Sequence, residues 1–150
     1  MNDTTQTTYR DLMRVGFPGQ RASAVPATFI SATVENAEGL DFGVAVAQGA
    51  DDRGCIPFAA GETILGISVR DRSLDANTPD EFGQYDTARI MTEGEILVTV
   101  AVEVAAGDPV WVRPSNNTFQ QDNSNSAVQI ANALYVTSAS AEGLAVVRLA

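Results

Sequence analysis

The chain has 150 residues and a formal net charge of −10, and it contains no histidine, no lysine and one cysteine. The acidic balance disfavours nucleic-acid partners, because an acidic surface repels phosphate backbones. It suits either simple solubility or docking on a basic patch of a protein partner. Without histidine, the usual Ser-His-Asp and Cys-His pairs and the histidine-rich catalytic zinc sites cannot form. We therefore predict no catalytic residue, no metal and no cofactor, and a protein that is not an enzyme.

The sequence also indicates the cellular compartment in which the protein is assembled. The first residues, MNDTTQTTYR, lack the basic and apolar pattern of a secretory signal. No apolar run approaches the ~20 residues that span a bilayer, so we expect no membrane partner. Cys55 alone cannot form an internal disulfide, which is compatible with assembly in a reducing cytosol.

Residues 1–26 are predicted to form an extended N-terminal arm outside the folded domain. The segment is polar, rich in threonine, contains two prolines and has no sustained hydrophobic period. It therefore cannot bury a face of its own, and it is either disordered or laid on another surface. Scattered apolar residues such as Tyr9, Leu12 and Phe17 favour the second alternative, because a free tail gains nothing from exposing them. A turn is predicted at residues 16–19, and a short helical turn at residues 9–15 is an option.

After the arm, alternating apolar residues predict a series of short strands. Ile30, Ala32 and Val34 share one face of residues 28–34, since successive side chains of a strand alternate in direction. In residues 42–48, large residues at 42, 44 and 46 alternate with glycine or alanine, which leaves room for a close neighbour. Further strands are predicted at residues 55–58, 63–70, 87–91, 110–112, 128–137 and 144–149. Residues 128–137 also suit a helix, but their spacing from the last strand favours a hairpin.

The clearest strand prediction is residues 96–104, where a branched apolar residue occupies every second position. At ~3.3 Å per residue this run spans roughly 27 Å, so we expect it to be the spine of a sheet. Two polar segments, residues 71–85 and 115–126, are predicted to be loops, the second with a brief hairpin around Phe119. Together, these predicted strands and loops indicate one all-β domain over residues 27–150. We expect a compact β-sandwich or barrel of about 8–10 short strands.

Few residue groups suggest chemistry. Asp86-Thr87-Ala88 resembles half of an aspartic-protease motif, but its third residue is wrong and a second copy is missing, so chance is the better explanation. Four oxygen donors in the first loop (Asp71, Asp75, Asn77 and Asp80) lack the spacing of a calcium loop, which favours a solvated acidic segment. Cys55 is expected to be buried and inert. Trp111 is interpreted as a core residue or as an anchor of a subunit interface.

Positive charge is concentrated in the arm, which holds Arg10, Arg14 and Arg21, three of the nine arginines. One interpretation is solubility alone. The other is that the arm binds an acidic protein surface through the fork-shaped guanidinium groups.

Six segments resemble, in order, the structural cement or head decoration proteins of tailed bacteriophages. They are GFPGQRA (16–22), FGVAVAQG (42–49), ILGISVRD (64–71), EGEILVTV (93–100), GDPVWVR (107–113) and GLAVVRL (143–149). The resemblance implies a small, non-enzymatic β-rich protein on the outer surface of the virion capsid, often a homotrimer. Its partner would be the major capsid protein, and assembly would take place in the host cytoplasm.

On this basis we expect a capsid cement that clamps neighbouring capsomers and stabilises the head. The arm residues expected to contact the capsid or a neighbouring subunit are Arg10, Arg14, Phe17, Pro18, Gly19, Gln20 and Arg21. Two alternatives stay open. A β-sandwich module that binds glycans, or belongs to a tail or fibre, would need exposed aromatics, for which Trp111, Tyr85 and Phe82 are the candidates. A carboxylate hydrolase would need two acids that converge in a cleft.

Overall fold

A computed structural model describes residues 16–71 and 80–150 of the chain. Within those residues the secondary structure is almost entirely β, which confirms the predicted fold class. The strands are β1 (Thr28–Val34), β2 (Leu40–Asp41), β3 (Ala45–Gln48), β4 (Gly54–Pro57), β5 (Ile64–Ser68), β6 (Glu81–Phe82), β7 (Thr87–Thr99), β8 (Pro109–Val112), β9 (Phe119–Gln120), β10 (Val128–Tyr135) and β11 (Leu144–Leu149), with a short 3-10 turn at Ser124–Ser126. No helix of this part of the chain is long and apolar enough to cross a membrane.

The organising strand is β7, and its boundaries differ from the prediction. The predicted strands at 87–91 and 96–104 are joined into one strand of 13 residues that ends at Thr99. Beyond it, Val100 and Val104 form isolated bridges to Phe119 and Ala139, two different partners, so the backbone no longer follows one ladder. Local alternation predicted the apolar register, but strand length is decided by which neighbour continues the hydrogen bonding.

Five strands close into a ring. β1 pairs with β4, β4 with β3, β3 with β5, β5 with β7, and β7 again with β1. The side chains clustered between them include Val34, Val46 and Ile90, and β2 and β6 add Leu40 and Phe82 to the same cluster. The ring is thus a small barrel with a filled interior, and closing it leaves fewer unpaired strand edges.

A second layer is built on the C-terminal half of β7. Here the sheet continues from β7 to β11, β10, β8 and β9. A larger apolar cluster joins these strands to residues of β3 and β5, among them Ala45, Ala47 and Ile67. The alternation predicted for residues 42–48 holds within β3, because Val46 lies in the barrel cluster and its two alanine neighbours lie in this second one. The predicted strand begins too early, since residues 42–44 form a turn with Gly43 at φ +70° and the strand starts at Ala45.

A bulge explains how one strand serves both clusters. In the pairing with β1, Phe29 lies opposite Met91 and Thr28 opposite Glu93, so one extra residue of β7 is accommodated at Thr92. Before the bulge, Ala88 and Ile90 face the barrel interior. After it, even-numbered residues such as Ile96 and Val98 face the second cluster. An extra residue shifts the two-residue period, which moves the buried face from one side of the strand to the other.

Each of the two predicted loops contains a short strand pairing, of which only the one in residues 71–85 was not predicted from the sequence. β6, inside the predicted loop 71–85, pairs with β2, while residues 72–79 of that loop lie outside the described residues. In the loop 115–126, β9 pairs with β8, which confirms the predicted hairpin around Phe119.

Candidate functional site

The second half of the predicted arm is bonded to the folded domain. Gly19 donates from its main-chain N–H to Leu97 O (2.8 Å), and Leu97 N donates to Gln20 O (3.0 Å). Ala22 N donates to Glu95 O (3.0 Å), and Arg70 N donates to Gly19 O (2.8 Å). Residues 19–22 therefore bridge β7 and the end of β5. The chain then continues along β7 in the same antiparallel direction, from the bridge between Arg21 and Ile96 into β1.

This anchor is built from a turn and two glycines. Gln20 N donates to Phe17 O (3.1 Å), which closes the turn that the sequence predicted at residues 16–19. Gly19 has φ +81°, and a Cβ placed on it would lie 2.8 Å from Gly43 N. A Cβ on Gly43 (φ +70°) would lie 2.5 Å from Gly19 N. The two main chains approach so closely that neither position has space for a side chain, and positive φ also disfavours one.

Next to the turn, the guanidinium group of Arg70 contacts the faces of two aromatic rings. The guanidinium carbon of Arg70 is 4.8 Å from the ring centroid of Phe17 and 5.5 Å from that of Phe42. Its Nη2 also approaches a carboxylate oxygen of Asp80 at 3.4 Å. Because the Asp80 side chain is 81% exposed, this ion pair is screened by solvent and contributes little. The contact with Arg70 covers part of the Phe17 ring, which is still 47% exposed.

Beside this contact lies a cleft of about 220 Å³ with a basic lining. Its walls are formed by Gln20, Arg21, Phe29, Val69, Arg70 and Arg89. The guanidinium carbons of Arg89 and Arg21 lie 3.9 Å and 6.0 Å from the centroid of the Phe29 ring. Sequence reasoning identified Arg21 but missed Arg70 and Arg89. The outward register of Arg89, between inward-facing Ala88 and Ile90, was readable from the sequence, but its convergence with the arm depends on strand pairing.

The residues predicted to contact a capsid fall into three groups. Arg10 and Arg14 lie outside the described residues. Phe17, Gln20 and Arg21 are exposed and lie together at the turn and the cleft. Gly19 is buried and Pro18 half-buried, so they are placed to shape the anchor. Trp111 is half-buried on β8, opposite Gln120 and Gln129, and its proposed role at a subunit interface stays a prediction.

A buried carboxylate reinforces the anchor. Glu95 is 6% exposed, and its Oε1 accepts hydrogen bonds from Arg148 Nε (3.0 Å) and Nη2 (2.5 Å). These bonds, and one from the Ser23 side chain, hold the pKa of Glu95 below its ordinary value, against the effect of burial. One side chain thus links the arm, β7 and β11.

The residues that the sequence suggested for catalysis or ligand binding are buried or take part in local hydrogen bonds. Cys55 is fully buried, and burial raises the pKa of its thiol to about 11, with a smaller contribution from Glu35, so the reactive thiolate is scarce at neutral pH. Asp86 accepts a hydrogen bond from Gly83 N (2.8 Å) in a turn. Phe82 is buried against Phe42, so it cannot belong to an exposed aromatic cluster.

The positions of the acidic side chains bear on ion binding and on acid catalysis. No cluster of three or more acidic or thiol side chains suited to a metal occurs within residues 16–71 and 80–150. Asp75 and Asn77 of the acidic loop lie outside those ranges. Glu38 and Asp41 line one cleft of about 170 Å³, together with Asn36, Asn116 and Asn117. Glu38 and Asp41 are thus the two acids that the hydrolase alternative would use, because they line the same cleft.

Comparison with known proteins identifies the family. No curated protein matches the sequence. A family model described as structural cement protein (E217 gp24/Pam3 gp6) matches residues 5–150. A chain in the structure of the capsid of Myoviridae phage XM1 superposes with a TM-score of 0.74 at 21% identity, over 99% of this chain and 96% of that one. At that identity the superposition establishes the fold, whereas the family match covers nearly the whole sequence. The chain therefore belongs to the structural cement proteins of phage, a family whose role in the capsid is structural.

Proposed function

We propose that this protein is a capsid cement that binds the outer surface of a shell of major capsid protein and clamps neighbouring capsomers. The observation that carries the proposal is the anchored turn. Four main-chain hydrogen bonds fix residues 19–22 to β7 and to Arg70, which follows β5, so the chain that precedes residue 16 is attached to a fixed point of the folded domain. A tether attached in this way transmits load to the sheet rather than peeling away from its edge.

The segment that precedes residue 16 can extend well beyond the folded domain. Any chain of fifteen residues can reach at most roughly 50 Å, at 3.3–3.6 Å per residue. Arg10 and Arg14 belong to this segment, and Phe17 lies exposed at its attachment point. Arginine forks and an exposed ring are typical contacts of a protein interface.

The net charge supports a position outside the shell. A chain of charge −10 is repelled by packaged DNA and attracted to basic protein surfaces. A homotrimer would present three arms to the shell at once. Because linked contacts act through effective concentration, their combined affinity can exceed that of one arm by ~10² or more.

A binding experiment with shells assembled without cement tests the proposal. Deleting residues 2–15 leaves the anchored residues 19–22 in place, so the domain should remain folded by circular dichroism. We expect co-sedimentation of this variant with the shells to fall by at least tenfold, since each charged contact is worth about 1.5–3 kcal/mol. The double variant Arg10→Gln/Arg14→Gln should show part of this loss.

Arg53→Gln provides the matched control, because Arg53 is an exposed arginine on the loop between β3 and β4 and does not line the cleft beside the anchored turn. It should bind shells like the original protein. If the folded deletion variant binds as tightly as the full chain, the clamp proposal is wrong.

A further inference from the structure

Three of the six arginines in residues 16–71 and 80–150 line one cleft: Arg21, Arg70 and Arg89. The other three are distributed differently. Arg148 is paired with Glu95, Arg113 donates to Gln120, and Arg53 lies on a loop beside Asp51 and Asp52. In a chain of net charge −10, this concentration of positive charge on one small surface sets the cleft apart.

The guanidinium groups are held before any ligand arrives. The guanidinium carbon of Arg89 lies 3.9 Å from the centroid of the Phe29 ring, and that of Arg21 lies 6.0 Å from the same centroid. Both guanidinium groups therefore lie close to one ring. Arg21 Nη2 also donates to Val25 O at 2.6 Å. Stacking on an aromatic face orients a guanidinium while leaving in-plane N–H groups available.

The charge of the cleft is little compensated. Arg21 and Arg89 form no ion pair within the described parts of the chain, and none of the six lining residues is acidic. Among residues 16–71 and 80–150, Arg70 forms an ion pair with Asp80 at 3.4 Å, and the Asp80 side chain is largely in solvent. A bound carboxylate would therefore gain charge-assisted hydrogen bonds without displacing a buried ion pair.

We propose that this cleft binds a short acidic segment of a partner protein, with one or two carboxylates held between Arg21 and Arg89. A volume of about 220 Å³ suits one or two side chains rather than a nucleotide. The chain's overall negative charge also opposes a polyphosphate, whose charge density is far higher than that of a peptide. This inference rests on the proposed function, because it assigns the chemistry of one contact that a cement protein makes.

The probe is a fluorescein-labelled hexaglutamate peptide, with hexaglutamine as the neutral comparison and binding followed by fluorescence anisotropy. We expect hexaglutamate alone to bind, and its affinity to fall as salt is raised. Arg21→Gln/Arg89→Gln should weaken binding by about tenfold or more, while Arg53→Gln leaves it unchanged. Arg89→Lys keeps the charge but loses the fork, so it should give an intermediate loss.

Several outcomes would overturn the inference. Hexaglutamate that fails to bind, or equal losses in Arg53→Gln and in the cleft variants, would remove the site. Inorganic phosphate that competes at equal concentration would make it a phosphate site, and self-association abolished by Arg89→Gln would make a second copy the occupant. The two proposals fail separately: the cleft variants test this site, whereas deletion of residues 2–15 tests the arm.

Discussion

At the scale of single residues, Asn117 shows how a loop is fixed to the barrel. Its side-chain Oδ1 accepts from Ala45 N (3.0 Å) and its Nδ2 donates to Ala45 O (2.9 Å), so the amide mimics a neighbouring strand. Ala45 is fully buried. Removing the amide leaves a buried N–H unpaired, so Asn117→Ala should lower the free energy of unfolding by about 1–3 kcal/mol. Urea denaturation followed by circular dichroism measures the change.

The backbone of Asn117 requires its own control. Its φ is +57°, which alanine tolerates poorly. Asn117→Gly accepts that φ but still lacks the amide, so it separates hydrogen bonding from backbone strain. If Asn117→Gly is as stable as the original protein, the pairing with Ala45 contributes nothing.

Cys55 is expected to behave as an apolar core residue. Its pKa of about 11 leaves almost no thiolate at pH 7, and the side chain is fully buried. A thiol reagent such as dithionitrobenzoate should therefore react with the native protein at least a hundredfold more slowly than with protein unfolded in urea. Rapid labelling of the native protein would mean that the barrel opens locally far more often than its packing implies.

At the scale of elements, Glu95 makes the anchor of the arm sensitive to acid. Its pKa is lowered in the folded protein, so the unfolded chain takes up a proton at higher pH than the folded one does. The stabilisation is thus complete above the ordinary pKa of 4.5 and is lost as pH falls below it toward the folded-state pKa. Glu95→Gln should destabilise the protein by about 1–3 kcal/mol at pH 7 and by progressively less below pH 4.5.

Urea denaturation from pH 7 to pH 3 measures this difference. Glu103→Gln is the matched control, because Glu103 is exposed on the segment after β7. Its effect on unfolding should be within 0.5 kcal/mol at every pH, as for most surface substitutions. A difference between Glu95→Gln and the original protein that does not change with pH would show that the carboxylate acts through packing alone.

Strands could be predicted from the sequence where apolar and polar residues alternate. They were harder to predict where the neighbouring strand determines their length. The ranges 28–34 and 144–149 follow from side-chain period. The strand predicted at 128–137 followed from its hairpin spacing to the last strand, and in the structure it ends at Tyr135. The length of β7 could not be predicted from side-chain period, because the strand continues from Met91 to Glu95 through a bulge and through Gly94, which has φ +128°. The anchor of residues 19–22 was likewise hidden, since a polar segment without a period gives no sign that its main chain is bonded to a distant strand.

The basic cleft illustrates the same limit at the candidate site. Sequence alone placed Arg21 in the arm and assigned no role to Arg70 or Arg89. Long-range pairing brings them together: Arg70 follows β5, Arg89 lies on β7, and Phe29 of β1 lies opposite Met91. A local sequence pattern cannot predict that these arginines line one cleft, because their proximity depends on which strands become neighbours.

At the scale of the whole molecule, the proposed homotrimer can be tested through the single tryptophan. Trp111 is half-buried, and it is the chain's only tryptophan, so its fluorescence reports on one position. If Trp111 anchors a subunit interface, dilution should shift its emission to longer wavelength as the ring becomes solvated. Sedimentation velocity over the same concentrations should show the mass of three chains giving way to that of one.

Trp111→Ala should weaken the assembly by at least tenfold, as expected for an interface hot spot. Leu134→Ala is the matched control, because Leu134 is 51% exposed on neighbouring β10 and has no assigned role at the interface. A monomer at every concentration, with an emission maximum that does not move, would rule out a trimer in free solution and leave three-armed binding without support.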